Sequence, residues 1–352
     1  MENQTFDYII IGGGSAGCVL AGRLSENPDI SVCLLEAGSH GNTWTVNTPA
    51  AAVISIPRKI NNWAFETVPQ KGLNGRKGYQ PRGKCLGGSS AINAMIYVRG
   101  HQKDYDQWAE LGNHGWSYQE ILPFFIRSEN NQDIQDQYHG NHGPLSVSNL
   151  RTDSPWHKRY IRAAKEQGYK ILDDFNGAEQ EGLGVYQVTH INGERCSAAR
   201  AYLFPHLERP NLTIFTHAST QRILIENQVA VGVEVKHAGQ IKQLRAHKEV
   251  LLSAGAMHSP QILMLSGIGN KQELLEHGIT VTKHLPGVGK NFHDHPDFIF
   301  SYTVTDIAGT FGVSLAGTVD LIKQISRYRK ERRGMLSTNF AECGGFLKST
   351  PE

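Results

Sequence analysis

The stretch "FDYIIIGGGSAGCVLAGRLSEN" (residues 6–27) decides the fold. It opens with an uninterrupted apolar run, the pattern of a strand buried on both faces of a parallel sheet. The run leads into Gly12-x-Gly14-x-x-Gly17 and then into an apolar-periodic helix that stops before Pro28. A second buried strand, "ISVCLLE" (30–36), ends on Glu36. Each residue has a task at this spacing. Gly12 permits the tight turn, Gly14 lets the backbone approach a pyrophosphate, and Gly17 lets the helix pack on the strand. The N-terminus of the helix adds N–H donors and a positive dipole. Glu36 stands where a carboxylate accepts from a ribose 2′-hydroxyl, which disfavours a 2′-phosphate and hence NADP. A glycine-rich turn alone would bind nothing. With strand, helix, second strand and acid in order, dinucleotide binding is the expectation, and the motif does not separate FAD from NAD.

Composition narrows the remaining classes. A chain of 352 residues has room for two domains and a large core. Hydrophobic residues at 39% and charged residues at 19% describe an ordinary globular protein. A net charge of +2 offers no electrostatic reason for nucleic-acid binding, and no base-reading motif is present. Cys18, Cys33, Cys85, Cys196 and Cys343 are scattered and never in CxxC spacing. That favours a reducing compartment over a disulfide framework and argues against structural zinc, so no metal site is expected. No apolar run approaches the ~20 residues of a membrane helix. "MENQT" leads straight into a strand, without a signal-peptide layout, so the expected location is the cytoplasm.

A second glycine turn separates the two cofactors. In "PRGKCLGGSSAINAMIYVRG" (81–100), Gly87-Gly88-Ser89-Ser90 offers clustered backbone N–H groups and small side chains. This suits another close backbone approach to a large cofactor with its own phosphates. Far downstream, "GAMHSPQILMLSGIG" (255–269) follows the strand "VLLSAG" (250–255), with Ser259 expected as N-cap and Pro260 at the first helical position. The two segments resemble the first and second signatures of the glucose–methanol–choline (GMC) flavoprotein oxidoreductases. "NWAFETVPQKGLNGR" (62–76), "YHGNHGPLSV" (138–147), "RCSAARAYL" (195–203) and "LPGVGKNFHDHP" (285–296) are similar to further family segments, so the resemblance covers the chain from residue 5 onward. Within the family the sequence is most similar to bacterial membrane-associated aliphatic alcohol dehydrogenases, with choline dehydrogenases close behind.

The resemblance implies FAD held in a doubly wound, Rossmann-like α/β domain, over which an α+β substrate domain closes. It assigns Gly12, Gly14, Ser15, Gly17, Glu36 and Ala37 to the ADP half. Arg82, Gly83, Gly88, Ser89, Asn93, Ala94 and Met95 are assigned to the pyrophosphate, ribityl and isoalloxazine, and Ala218 and Gly255 complete the cofactor contacts. Some relatives tether FAD through a histidine just before the asparagine; here that position is Ile92, so FAD is expected to be non-covalent. Residues 213–250 alternate with period two, at Ile223 and Ile225 and then Val229, Val231, Val233 and Val235 across the "ENQ" turn. That predicts an antiparallel meander inserted before the parallel strand at 250. The expected domains are an FAD domain in two parts, 1–150 and 211–296, and an incomplete substrate domain in two parts, 151–210 and 297–352.

In this family an alcohol gives its hydroxyl proton to a histidine and its hydride to flavin N5, and imidazole has a pKa suited to that task. The implied function is oxidation of a primary alcohol to an aldehyde, with electrons passed to a quinone or other acceptor. Choline dehydrogenation, an oxygen-using oxidase, a lyase and a non-catalytic flavin-binding fragment are the alternatives. In relatives the catalytic histidine lies well downstream of any segment here. None of the 16 histidines sits in that motif, so no catalytic residue is assigned in this chain and its base is expected beyond Glu352. The tail "STNFAECGGFL" reads as an interior strand of the substrate domain, and the expectation is that the chain was cut short. His293 and His295 flank Asp294 without a third ligand, and His139 and His142 lie in a glycine-rich turn; structural roles are favoured for all four. In choline-oxidising relatives a glutamate at the position of Glu342 meets the substrate ammonium, which makes Glu342 the candidate substrate contact; otherwise it is a strand-end carboxylate, solvated or paired with a nearby arginine. "LIKQISRYRKERRG" (321–334) places Leu321, Ile322, Ile325 and Tyr328 at helical spacing beside a run of cations. It reads either as a helix with its apolar face in the core or as a basic amphipathic helix on the inner face of the cytoplasmic membrane. The core reading is favoured.

Overall fold

The structure, a computed structural model, describes residues 4–295 and 315–350. It divides into two compact units. The first comprises residues 4–42, Ser55–Ile92 and 197–295, and the second Thr43–Ile54, Asn93–Cys196 and 315–350.

The first unit is built on a six-stranded sheet in the order β3-β2-β1-β6-β5-β4. Its strands are β1 (Thr5–Ile11), β2 (Val32–Leu35), β3 (Leu212–Phe215), β4 (Ala218–Glu226), β5 (Val229–His237) and β6 (Gln240–Leu252). The apolar runs form the parallel part, β1 pairing with β2 from Tyr8↔Val32 to Ile11↔Leu35, and β3 adding beyond β2. All four residues of β2 are buried, as a strand covered on both faces requires. The meander β4-β5-β6 is antiparallel. Its first turn falls at Asn227 and Gln228, both at positive φ (50° and 65°), the primed geometry that matches strand twist. The meander runs directly into the parallel strand. One continuous strand, β6, pairs antiparallel with β5 through Gln240–Arg245 and parallel with β1 through Arg245–Leu252. The core beside this sheet gathers Ile9, Ile11, Cys33, Leu35, Val233, Val235 and Leu244.

Helix α1 (Ser15–Leu24) follows β1, and α2 (Gly255–Leu265) follows β6. The second begins earlier than an N-cap at Ser259 predicts, so both Ser259 and Pro260 lie inside it. Proline forfeits one intrahelical N–H but keeps helical φ, and the helix continues to Leu265. Residues 197–210 also belong to this unit rather than to the substrate domain. Arg209 Nη1 donates to the Gly22 carbonyl at 2.7 Å and to Ser25 Oγ at 2.8 Å, tying this stretch to α1.

The second unit takes residues 93–150, which the sequence pattern alone assigns to the FAD domain. Long-range hydrogen bonds explain the difference. Tyr97 N donates to Gln187 O at 2.9 Å, Ser148 and Val188 exchange N–H···O bonds of 2.9 Å, and Arg99 N donates to Asn176 Oδ1 at 2.7 Å. The strand Cys343–Phe346 pairs antiparallel with Gly182–Val185, with Ile171–Leu172 on the other side of the latter. Its glycines answer to close approaches: a Cβ on Gly345 would lie 1.9 Å from Gly182 O. Residues 297–314 of the expected substrate domain lie outside the described residues.

Candidate cofactor-binding site

In the first unit the ends of β1 and β6, the start of α1 and the start of α2 surround a cleft of about 940 Å³. It is lined by Gly12, Gly14, Ser15, Glu36, Ala37, Arg82, Gly83, Gly88, Ser89, Ala218 and Gly255. Residues far apart in the sequence thus meet in one place because the parallel strands all end there. Gly17 does not line the cleft. A Cβ there would stand 1.9 Å from Gly12 O, so this glycine serves the packing of α1 on the turn.

The two glycine turns interlock. Gly87 N donates to Gly13 O at 2.8 Å, and a Cβ on Gly88 would stand 2.6 Å from Gly14 Cα. A Cβ on Gly14 itself meets nothing closer than Gly88 Cα at 4.0 Å, and one on Gly255 would enter open space. Glycine therefore keeps backbone accessible where the cleft is open. Gly14 is the N-cap of α1, which has no side-chain cap and no acid in its first turn, so its N-terminal donors and dipole are left for an anion.

Glu36, at the tip of β2, is buried and accepts from two backbone donors: Gly13 N to Oε2 at 3.0 Å and Gly38 N to Oε1 at 2.7 Å. Burial pushes its pKa up to about 7, against the lowering effect of those N–H groups and of Lys84. Arg82 is steadied by Pro81 O (2.8 Å) and Gln80 Oε1 (2.9 Å), with Asp294 Oδ2 at 3.6 Å. Sequence reasoning misses an aromatic wall of the same cleft. His258 lies 4.4 Å from the Trp63 ring and 5.2 Å from Phe65, and burial, then Lys84, holds its pKa below the usual histidine value. Lys84 Nζ sits 4.1 Å over Trp63. Aromatic residues in "NWAF" ahead of a glycine turn are the available signal.

Asn93, Ala94 and Met95 belong to the second unit. There Arg195, fully buried and not singled out by the sequence, donates to Asn93 O at 2.7 Å, Asn93 Oδ1 at 2.9 Å and Val46 O at 3.0 Å. Asn339 Nδ2 donates to Ala94 O at 2.8 Å, and Met95 is held at φ 59°. Among the described residues Glu342 is paired with a histidine and not with an arginine. His157 Nε2 lies 2.6 Å from its Oε2, and Thr338 Oγ1 donates to its Oε1 at 2.7 Å. Burial raises its pKa, but these bonds outweigh burial and leave it below the usual carboxylate value.

His139 is buried between Glu129 (Nδ1, 2.9 Å) and Asp174 (Nε2, 3.1 Å). Burial lowers its pKa, yet the hydrogen bonds and charges of Asp174 and Glu129 win and raise it to about 9. With Asp136 it forms a group of metal-ligand type, but a protonated imidazole satisfied by carboxylates is an ion-pair network. His142, His293 and His295 are exposed.

Fold and cleft define an enzyme scaffold of the dinucleotide-binding, doubly wound class. The chain belongs to the GMC oxidoreductase family, whose profile matches residues 6–297. It is 44% identical over 353 residues to an alcohol dehydrogenase [acceptor] of Pseudomonas putida, covering 99% of this chain and 63% of that one. It is 42% identical over 360 residues to the mitochondrial choline dehydrogenase of Homo sapiens, covering 99% and 60%. A solved formate oxidase superposes with a TM-score of 0.91 at 31% identity, covering 99% of this chain and 62% of that one. The chain thus spans somewhat over half the length of the relatives it matches. The cofactor of this family is FAD. The cleft fits it: two glycine turns without obstructing Cβ atoms, an uncapped helix N-terminus for phosphate and a carboxylate for ribose hydroxyls.

Proposed function

We propose that this chain forms the FAD-holding part of an oxidoreductase that converts a primary alcohol to an aldehyde. The interlocked glycine turns at a cleft ending in Glu36 carry this reading. Gly12, Gly14, Ser15 and the first turn of α1 would receive the pyrophosphate, and Glu36 the ribose hydroxyls of the ADP half. Arg82, Gly83, Gly88 and Ser89 would continue along the cofactor. Ile92 offers no nucleophile, so FAD would be held without a covalent bond. Bound FAD would supply the acceptor for the hydride of the alcohol carbon. Asn93, Ala94 and Met95 lie in the second unit, where Arg195 and Asn339 hold them.

For the substrate we favour an uncharged aliphatic alcohol over choline. Both oxygens of Glu342 are engaged by His157 and Thr338, which leaves this carboxylate poorly placed to compensate a quaternary ammonium. The proposed acceptor is a quinone, reached by peripheral contact with the inner face of the cytoplasmic membrane. Stopped-flow reduction of the flavin in the whole protein by butanol and by choline tests the assignment. Faster reduction by butanol is expected, and a preference for choline of about tenfold, or roughly 1.4 kcal/mol, would reverse it. Acid precipitation should leave the yellow chromophore in solution; colour retained on the pellet would refute non-covalent binding.

A further inference from the structure

Two exposed faces of the second unit have opposite character. The first is a ledge formed by the helix Gln102–Glu110 and the turn that leads into the helix Tyr118–Ser128. Tyr105 packs on Tyr118 and Phe125, with ring centroids 6.2 and 5.7 Å apart. Trp108 and Trp116 meet edge-on at 5.8 Å yet remain 46% and 52% exposed, and Leu111, one turn after Trp108, is 74% exposed. Carboxylates surround these apolar groups. Asp104 stands one turn before Trp108, Asp106 accepts from Tyr118 N at 3.0 Å, and Glu120 accepts from Ser117 N at 3.1 Å, beside Trp116. None of the three has a lysine or arginine partner among the described residues. Residues 101–120 hold four carboxylates against one lysine, in a chain of net charge +2.

The helix Leu315–Glu331 carries the second face. Tyr328 is 3% exposed and donates to Gly193 O at 3.1 Å, anchoring one side of the helix. Val319, Leu321, Ile322 and Ile325 are 54%, 43%, 62% and 37% exposed, so the expected burial of this stripe in the core does not occur. At about 3.6 residues per turn these four share one arc with Arg329, and Lys330 and Lys323 lie along its rim. Those three cations have no ion-pair partner among the described residues. Arg327 and Arg333, by contrast, are held by Asp153 at 2.7 and 2.8 Å, and Arg332 by Glu194 at 3.1 Å.

We propose that the helix Leu315–Glu331 of one copy docks on the Trp108–Trp116 ledge of a second copy of this chain. Charge complementarity selects this occupant. The ledge offers aromatic surface ringed by unpaired carboxylates, and the helix offers aliphatic surface ringed by unpaired cations. Both faces are exposed within one chain, so the contact that covers them joins two chains. Arg329, set among the aliphatic side chains, suits the face of an exposed tryptophan, and arginine and tryptophan are the residues that interface cores favour. Like faces do not serve. Helix on helix would bring cations against their own counterparts, and ledge on ledge would do the same with carboxylates. An anionic lipid surface would take the helix but repel the ledge and leave its tryptophans in water. Pairing unlike faces makes the contact head-to-tail, so each pair keeps one free ledge and one free helix unless a ring closes. The inference concerns assembly alone; its test uses neither FAD nor substrate, so failure here leaves the redox reading standing.

Sedimentation velocity of the purified chain over a concentration series is the test. Self-association with a Kd on the order of 1–100 µM, weakened by salt, is expected. Leu111→Lys on the ledge and Ile322→Asp on the helix should each weaken it at least about tenfold. Both side chains are exposed, so the urea unfolding curves should match that of the wild type. Mixing the two variants should bring association back, because the first keeps an intact helix and the second an intact ledge. A wild type that stays monomeric up to about 1 mM, folded variants that associate like the wild type, or a mixture that stays monomeric would each overturn the proposal. So would a monomeric chain that binds phosphatidylglycerol vesicles through Ile322, which would give the helix to lipid.

Discussion

Glu36 in the first unit and Glu129 in the second are both buried carboxylates, and their surroundings differ in kind. Glu129 faces Arg99 at 2.6 Å and His139 at 2.9 Å, two cations that are themselves almost fully buried. Burial raises its pKa, but His139, Asn131 and Arg99 together bring it below the usual value. Glu36 accepts from two backbone N–H groups, and burial outweighs these and the charge of Lys84 and leaves its pKa at about 7. One carboxylate is complete within the protein. The other is held in position with its charge only partly compensated, which is the condition expected of a group that waits for hydroxyl donors from a ligand.

The comparison breaks most visibly at Glu129. Glu129→Gln should destabilise the fold by about 3–5 kcal/mol, because it leaves Arg99 and His139 buried without their shared counter-charge. It should leave FAD affinity unchanged. Urea unfolding with and without the cofactor checks both halves, and a loss below about 1 kcal/mol would remove the distinction between the two sites.

Glu36 should behave in the opposite sense with pH. A carboxyl whose folded pKa is raised binds its proton more tightly in the native state, so its contribution to stability is full below about 4.5 and is lost as pH rises towards 7. Against Glu36→Gln, which does not titrate, the unliganded wild type should lose about 3 kcal/mol between about pH 4 and pH 8. Glu129, with a lowered pKa, gives stability that is present above 4.5 and lost on acidification. On the proposed assignment, ribose hydroxyls would favour the ionised Glu36, so FAD binding should release protons near neutrality and tighten as pH rises to about 7. Glu36→Ala should weaken FAD by about 1.5–3 kcal/mol. Calorimetric titration in buffers of different ionisation enthalpy measures both, and unchanged affinity would take Glu36 out of the site.

What the sequence makes legible follows the same division. The strand–turn–helix at residues 5–24, the strand ending on Glu36 and the turn at Asn227 and Gln228 are local, and periodicity or turn chemistry marks each of them. The second unit is held by pairs far apart in the chain: Arg195 with Asn93, Gln187 with Asn131, His157 with Glu342. Neither spacing nor residue type announces such partners, so pattern alone does not group residues 93–150 with the second unit and passes over Arg195. The helix Leu315–Glu331 shows a third limit. Its spacing reveals an apolar stripe, but only the folded chain tells that Tyr328 alone of Leu321, Ile322, Ile325 and Tyr328 is covered.

Glu342 gives the smallest expected effect and the finest test of the comparison. Like Glu129 it is satisfied internally, with His157 on one oxygen and Thr338 on the other. A carboxylate reserved for a substrate ammonium would resemble Glu36 instead, with its charge left for the ligand to compensate. Glu342→Gln keeps the hydrogen-bond acceptor for Thr338 and removes the charge opposite His157. In the whole protein it should therefore alter the ratio of kcat/KM for butanol and choline by less than about threefold, a ΔΔG‡ of roughly 0.6 kcal/mol. A group that held the ammonium directly would lose far more for choline than for butanol, by about 10-fold or more for a lost charge-assisted contact. Such a selective loss would move Glu342 from the class of Glu129 to that of Glu36, and with it the substrate from an uncharged alcohol to a cation.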